Sequence, residues 1–86
     1  MKEIRFSEHS QLKMEILSNH QVIITPEFVI ETVRLPDRVE SGEDDKLIAQ
    51  KRLDDNLVLR VVYREFTAFI SIVTLYPGRR SRYEKD

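Results

Sequence analysis

Two prolines, Pro26 and Pro36, bracket the segment whose local structure the sequence specifies most tightly. In Ile24-Thr25-Pro26-Glu27, Thr25 is a helix N-cap, and Pro26 occupies the first helical position, where a missing N–H is harmless. Ile24 and Val29 stand at the two positions of a hydrophobic staple. Val29, Ile30 and Val33 form an inward stripe, and Pro36 pushes the residue before it out of the helical region. A helix is predicted over 26–35. Upstream, Ile4-Arg5-Phe6 alternates as a strand does, Ser7 can act as an N-cap, and Glu8 suits the first turn of a helix. A second helix is predicted over 8–19, with Leu12 and Ile16 on its buried stripe and His9 one turn before Leu12.

Everything after Pro36 reads as β. Gly42-Glu43-Asp44-Asp45 and Asp54-Asp55-Asn56 are turn clusters that leave strands near 38–41, 46–53, 57–64 and 66–76. In 57–64 the odd positions, Leu57, Leu59, Val61 and Tyr63, are all apolar or aromatic, while the even ones include Arg60 and Arg64. The run 66–76 is apolar enough for a central strand, with Pro77-Gly78 as its stop. The expected fold is α+β in the order β-α-α-β-β-β-β: two N-terminal helices packed on one side of an antiparallel sheet of three to five strands. Leu12, Ile16, Val29, Val33, Leu59, Val61, Ile70 and Ile72 are the expected core.

Length and composition narrow the chemistry. Eighty-six residues make one domain, 1–86, with a short basic tail at 78–86. Without cysteine there is no disulfide, thiolate zinc site or Cys nucleophile, and a reducing, cytoplasmic setting is expected. No apolar run is long enough for a transmembrane helix, so no membrane partner is expected, and the N-terminus lacks a signal-peptide core. With Gly42 and Gly78 as the only glycines, P-loop and dinucleotide motifs are impossible, and no G-x-S-x-G elbow is present. His9 and His20 lie too far apart to form a ligand motif, and Glu43-Asp44-Asp45 lacks the alternation of a calcium loop and reads as a solvated turn. Neither a metal nor a cofactor is expected.

The charge distribution is uneven. Residues 1–59 carry a net −4 and residues 60–86 a net +3, and five of the six cations in the latter are arginines, Arg60, Arg64, Arg79, Arg80 and Arg82. Arginine presents a planar fork that matches phosphate, so these residues permit a local nucleic-acid site on a near-neutral protein; a solvated charged tail is the alternative. His9, Arg60 and the segment Tyr76-Pro77-Gly78-Arg79-Arg80-Ser81-Arg82-Tyr83 form the candidate constellation. Arginine stabilises charge developing on phosphorus, and His or Tyr can move protons, so phosphodiester chemistry without a metal is within their reach. Alternatively, Tyr76 is a half-buried sheet residue and Tyr83 a tail residue. Arg60, Arg79, Arg80 and Tyr83 are expected on one patch, partly solvated, with His9 at its rim.

Phe6-Ser7-Glu8-His9-Ser10, Thr25-Pro26-Glu27-Phe28-Val29, Leu35-Pro36-Asp37, Leu59-Arg60-Val61-Val62-Tyr63 and Val73-Thr74-Leu75-Tyr76-Pro77 together resemble a family of small prokaryotic domains. That family looks related to the BrnT-like and RelE/ParE-like toxins of type II toxin–antitoxin systems, and the ending Arg79-Arg80-Ser81-Arg82-Tyr83-Glu84 is similar to the basic end of BrnT-like proteins. The resemblance implies a RelE-like fold and metal-independent RNA cleavage, in which the 2′-OH attacks the adjacent phosphate. It also implies a cognate antitoxin partner and RNA or ribosome-bound mRNA as target. Carried over, Arg60 with Arg79 or Arg80 would bind and stabilise the phosphate, and His9 or Tyr83 would act as acid or base. Arg64, Tyr76 and Arg82 would add phosphate contacts. Lys13 stands where the family carries arginine. A non-catalytic member of the same fold, binding a protein partner, is the alternative the resemblance leaves open.

Overall fold

A computed structural model describes residues 2–84, so the last two positions of the expected basic tail, 78–86, lie outside the described residues. The elements run β1 (Glu3–Phe6), α1 (Glu8–Asn19), α2 (Pro26–Arg34), β2 (Arg38–Ser41), β3 (Leu47–Arg52), β4 (Leu57–Glu65), β5 (Phe69–Arg79) and α3 (Arg80–Tyr83). The fold is α+β, built on one five-stranded sheet in the order β1-β5-β4-β3-β2. The sheet is mixed, not antiparallel throughout: β1 pairs parallel with β5, Ile4 opposite Ile70 and Phe6 opposite Ile72. The antiparallel expectation holds for strands joined by tight turns, whereas the whole of α1 to β4 separates β1 from β5 and leaves either direction open.

Local chemistry accounts for the helices. The Thr25 Oγ1 accepts the Phe28 N–H at 3.1 Å, Ile24 and Val29 are both buried, and Leu35 caps the C-terminus just before Pro36. Ser7 caps α1, its Oγ accepting the Ser10 N–H at 3.0 Å, and it ties the helix start to β5 by donating that hydroxyl to the Val73 carbonyl. This anchor sets the rotation of α1 and overturns the predicted stripe. Leu12 is 53% and Ile16 43% exposed; Ser10 is buried, with Lys13, Met14 and Leu17 half-buried beside it. Those four positions are the true i, i+3, i+4, i+7 stripe, disguised by a serine and a lysine. The α1 terminus is a Schellman motif: Val22 N–H reaches the Leu17 carbonyl at 2.8 Å, Gln21 N–H reaches Ser18 at 3.0 Å, and Gln21 has φ 66°.

Helix α1 lies against β5, and α2 against β3 and β4. Val29 and Val33 from α2 join Ala49, Leu59, Val61, Tyr63, Ile72 and Leu75 from the sheet in one cluster, with Met14 and Leu17 of α1 packed on it. Of the predicted core, Val29, Val33, Leu59, Val61 and Ile72 are buried and Ile70 is half-buried. Strand β5 also corrects the sequence reading, since it begins after a turn at 66–68 and continues through Pro77-Gly78 to Arg79. Because β1 pairs only with residues 69–72, the far half of β5 is a sheet edge on that side, where a proline without an N–H does no harm. The chain then turns into α3, an element the all-β reading did not contain.

Candidate functional site

The face of the sheet opposite the hydrophobic cluster carries a polar row in cross-strand register. Arg38 of β2 stands opposite Gln50 of β3, Gln50 opposite Arg60 of β4, and Arg60 opposite Tyr76 of β5. Alternation along β4 produces this: Leu59 and Val61 point into the cluster, so Arg60 points the other way. Tyr83 of α3 folds back over the row, with the Arg60 guanidinium 4.3 Å from its ring centroid and 5.9 Å from that of Tyr76. Gly78 makes room for it, because a methyl group at that position would run into the Tyr83 ring.

Arg60 is 4% exposed, not partly solvated as expected. Its Nε donates to the Tyr76 hydroxyl at 2.9 Å, one Nη to the Gln50 side-chain carbonyl, and the other to Glu40 at 3.1 Å. Burial disfavours its charge, but the bonds to Glu40 and Tyr76 outweigh that and hold the guanidinium more firmly protonated than usual. The Glu40 carboxyl is correspondingly held below the ordinary carboxylate range by its bond to Arg60. Burial of the phenol, with the Glu65 charge adding to it, pushes Tyr63 up on the other face.

The tail is fastened to the same row. The Tyr83 carbonyl accepts from Arg38 at 2.9 Å and from the Gln50 amide at 3.3 Å. The Glu84 carboxylate accepts from Arg80 at 2.7 Å and from Arg52 at 3.2 Å, and these bonds lower its pKa. Arg80 also donates to the Asp55 carbonyl at 2.7 Å.

Of the candidate residues, the structure therefore brings together Arg60, Tyr76 and Tyr83, with exposed Arg82 5.4 Å from the Tyr83 ring and Arg80 joined through Glu84. Arg79 is exposed opposite Leu57 and falls, by strand alternation, on the other face from Tyr76. Arg64 stands about 13 Å along β4 from Arg60, beside Asp44, Asp45 and Phe66. His9 is exposed on the first turn of α1 and bonds the Thr74 hydroxyl at 3.1 Å, two residues along β5 from Tyr76. Sequence reasoning missed Arg38, Glu40, Gln50, Arg52 and Glu84. A polar glutamine between Ile48 and Arg52 was the one hint, and only the strand register gives it meaning.

The arrangement can hold negative charge near two phenols, and the carboxylates that already engage its arginines are those of Glu40 and Glu84. Among the described residues no group of three or more His, Cys, Asp or Glu side chains could hold a metal ion, and no helix is long and apolar enough to cross a membrane. No protein-family model, curated protein or solved structure matches the chain.

Proposed function

We propose that the chain is a toxin-like, metal-independent endoribonuclease with a RelE-like order of elements, acting in the cytoplasm and restrained by a cognate antitoxin. The observation that carries this reading is the convergence of Arg60, Tyr76 and Tyr83 on one sheet face, with Arg38, Arg80 and Arg82 around them. Guanidinium groups would stabilise the charge on phosphorus as the 2′-oxygen attacks and the 5′-oxygen leaves. A phenol or His9 would take the 2′-hydroxyl proton, and a second such group would protonate the departing 5′-oxygen. The products would carry a 2′,3′-cyclic phosphate and a free 5′-hydroxyl.

The internal bonding and burial of Arg60 support the second reading, a non-catalytic protein-binding module, because a guanidinium 4% exposed and bonded through every nitrogen inside the protein is closed to a phosphate as it stands. End-labelled single-stranded RNA incubated with purified protein in excess chelator separates the two. Cleavage to cyclic-phosphate ends, lowered about 10²–10³-fold in Arg80→Gln or Tyr83→Phe, is expected for the nuclease. Intact RNA, together with unimpaired growth of cells overproducing the protein, would leave the binding module as the reading.

A further inference from the structure

Arg60 is engaged by Tyr76, Gln50 and Glu40, but Arg38, Arg52 and Arg80 around it are engaged by oxygens of the protein's own tail. The Tyr83 carbonyl sits on Arg38 and Gln50, and the Glu84 carboxylate bridges Arg52 and Arg80, so backbone and side-chain oxygens occupy positions that phosphate oxygens would take. The element that carries them is weakly held. Helix α3 has four residues, none buried, and no side-chain cap. A helix so short has no stability of its own. Its fastenings are partly exposed ion pairs, two bonds to the Tyr83 carbonyl, the Arg80 bonds to the Asp55 and Asn56 carbonyls at its start, and the Tyr83 ring lying against Gly78 and Arg60.

We infer that α3 with Glu84 is a self-occluding strap: it fills the arginine row with stand-in oxygens, and a single-stranded RNA backbone must displace it to reach Arg60 and Arg38. This rests on the reading of the row as an RNA site. Lifting Tyr83 removes the ring above the Arg60 guanidinium and the carbonyl on Arg38. The bonds of Arg60 to Tyr76, Gln50 and Glu40 take three of its five N–H groups and leave one on each Nη for a phosphate. Affinity is then reduced by the fraction of molecules whose strap is open.

Gly78→Ala tests the strap without altering any charge. Gly78 does not have a positive φ, so alanine suits its backbone, but the added methyl group displaces the Tyr83 ring. Glu84→Gln loosens the other fastening. The probe is a fluorescent, uncleavable 2′-O-methyl oligouridine, with binding read by anisotropy at fixed salt, and exchange of the Glu84 and Arg80 amides, which bond Arg80 and Asn56 carbonyls, reports strap opening. Both variants should exchange faster and bind roughly tenfold tighter than the parent. Adding Arg38→Gln, at an exposed position, should abolish the gain. Equal binding by parent and both variants overturns the strap while leaving the RNA site standing. Binding by none of them overturns the RNA reading, and the strap falls with it.

Discussion

Replacing Arg60 by methionine should remove about 2–3 kcal/mol of stability, the scale for stranding buried hydrogen-bonding groups around a lost charge. Gln50, 2% exposed, would keep a buried carbonyl with no donor, and Tyr76 and Glu40 would each lose a partner. Urea unfolding checks this, and an unchanged midpoint would mean that the row is not held as described. Tyr76→Phe removes one hydroxyl acceptor and should lower stability by about 1 kcal/mol. The alternation Leu59-Arg60-Val61 is enough to place Arg60 on one face of its strand. It is silent on whether that face is covered, because the cover is Tyr83, brought back by a turn after residue 79 that no pattern in β5 announces.

Two turns and one helix face carry the predictions at the scale of elements. Asp44 and Asp45 have φ of 54° and 61°, and the Lys46 N–H bonds the Glu43 carbonyl at 3.1 Å, so the β2–β3 hairpin turns through two left-handed residues without a glycine. Asp45→Gly should stabilise the protein by about 0.5–1 kcal/mol, as should Gln21→Gly at the Schellman position, each by relieving a left-handed residue with a side chain. Thermal melts at neutral pH would show both gains. Leu12→Ala should change stability by less than about 0.5 kcal/mol and Leu59→Ala by about 3 kcal/mol, since only the latter leaves a cavity. A large loss from Leu12→Ala would restore the helix face expected from the sequence. That expectation failed because the stripe through Leu12 and Ile16 follows apolar spacing alone, while packing against β5 chose the side that buries Ser10 with Met14 and Leu17 beside it.

For the molecule as a whole, acid should act through the two carboxylates that hold the sheet's polar face. The bond from Arg60 depresses the Glu40 carboxyl, and the bonds from Arg80 and Arg52 depress that of Glu84. A depressed folded-state pKa gives stability that is present above the unfolded carboxylate value, about 4.3, and is lost as pH falls through the lower folded value. The melting temperature should therefore hold down to about pH 5 and drop below about pH 4. Glu40→Gln should flatten that drop, and Glu84→Gln should do so less, because Glu40 pairs with buried Arg60 whereas the partners of Glu84, Arg52 and Arg80, reach solvent and are screened. Melting curves from pH 2 to 7 at low and moderate salt measure it. A drop that Glu40→Gln leaves unaltered would place the acid-sensitive contact elsewhere.

The sequence by itself determined what is local. The caps at Ser7 and Thr25, the stop at Pro36, the turn clusters at 42–45 and 54–56 and the inward residues of β4 come from bonds and periodicities within a few residues of each other. Only the tertiary structure decided the parallel pairing of β1 with β5, the rotation of α1, the passage of β5 through Pro77, and the burial of Arg60 beneath the tail. Each depends on segments distant in the chain. The sheet edge that tolerates Pro77 exists because β1 is short, and the polar row exists because four strands share one register. Pairing between distant segments is a property of the assembled sheet, and no window of sequence contains it.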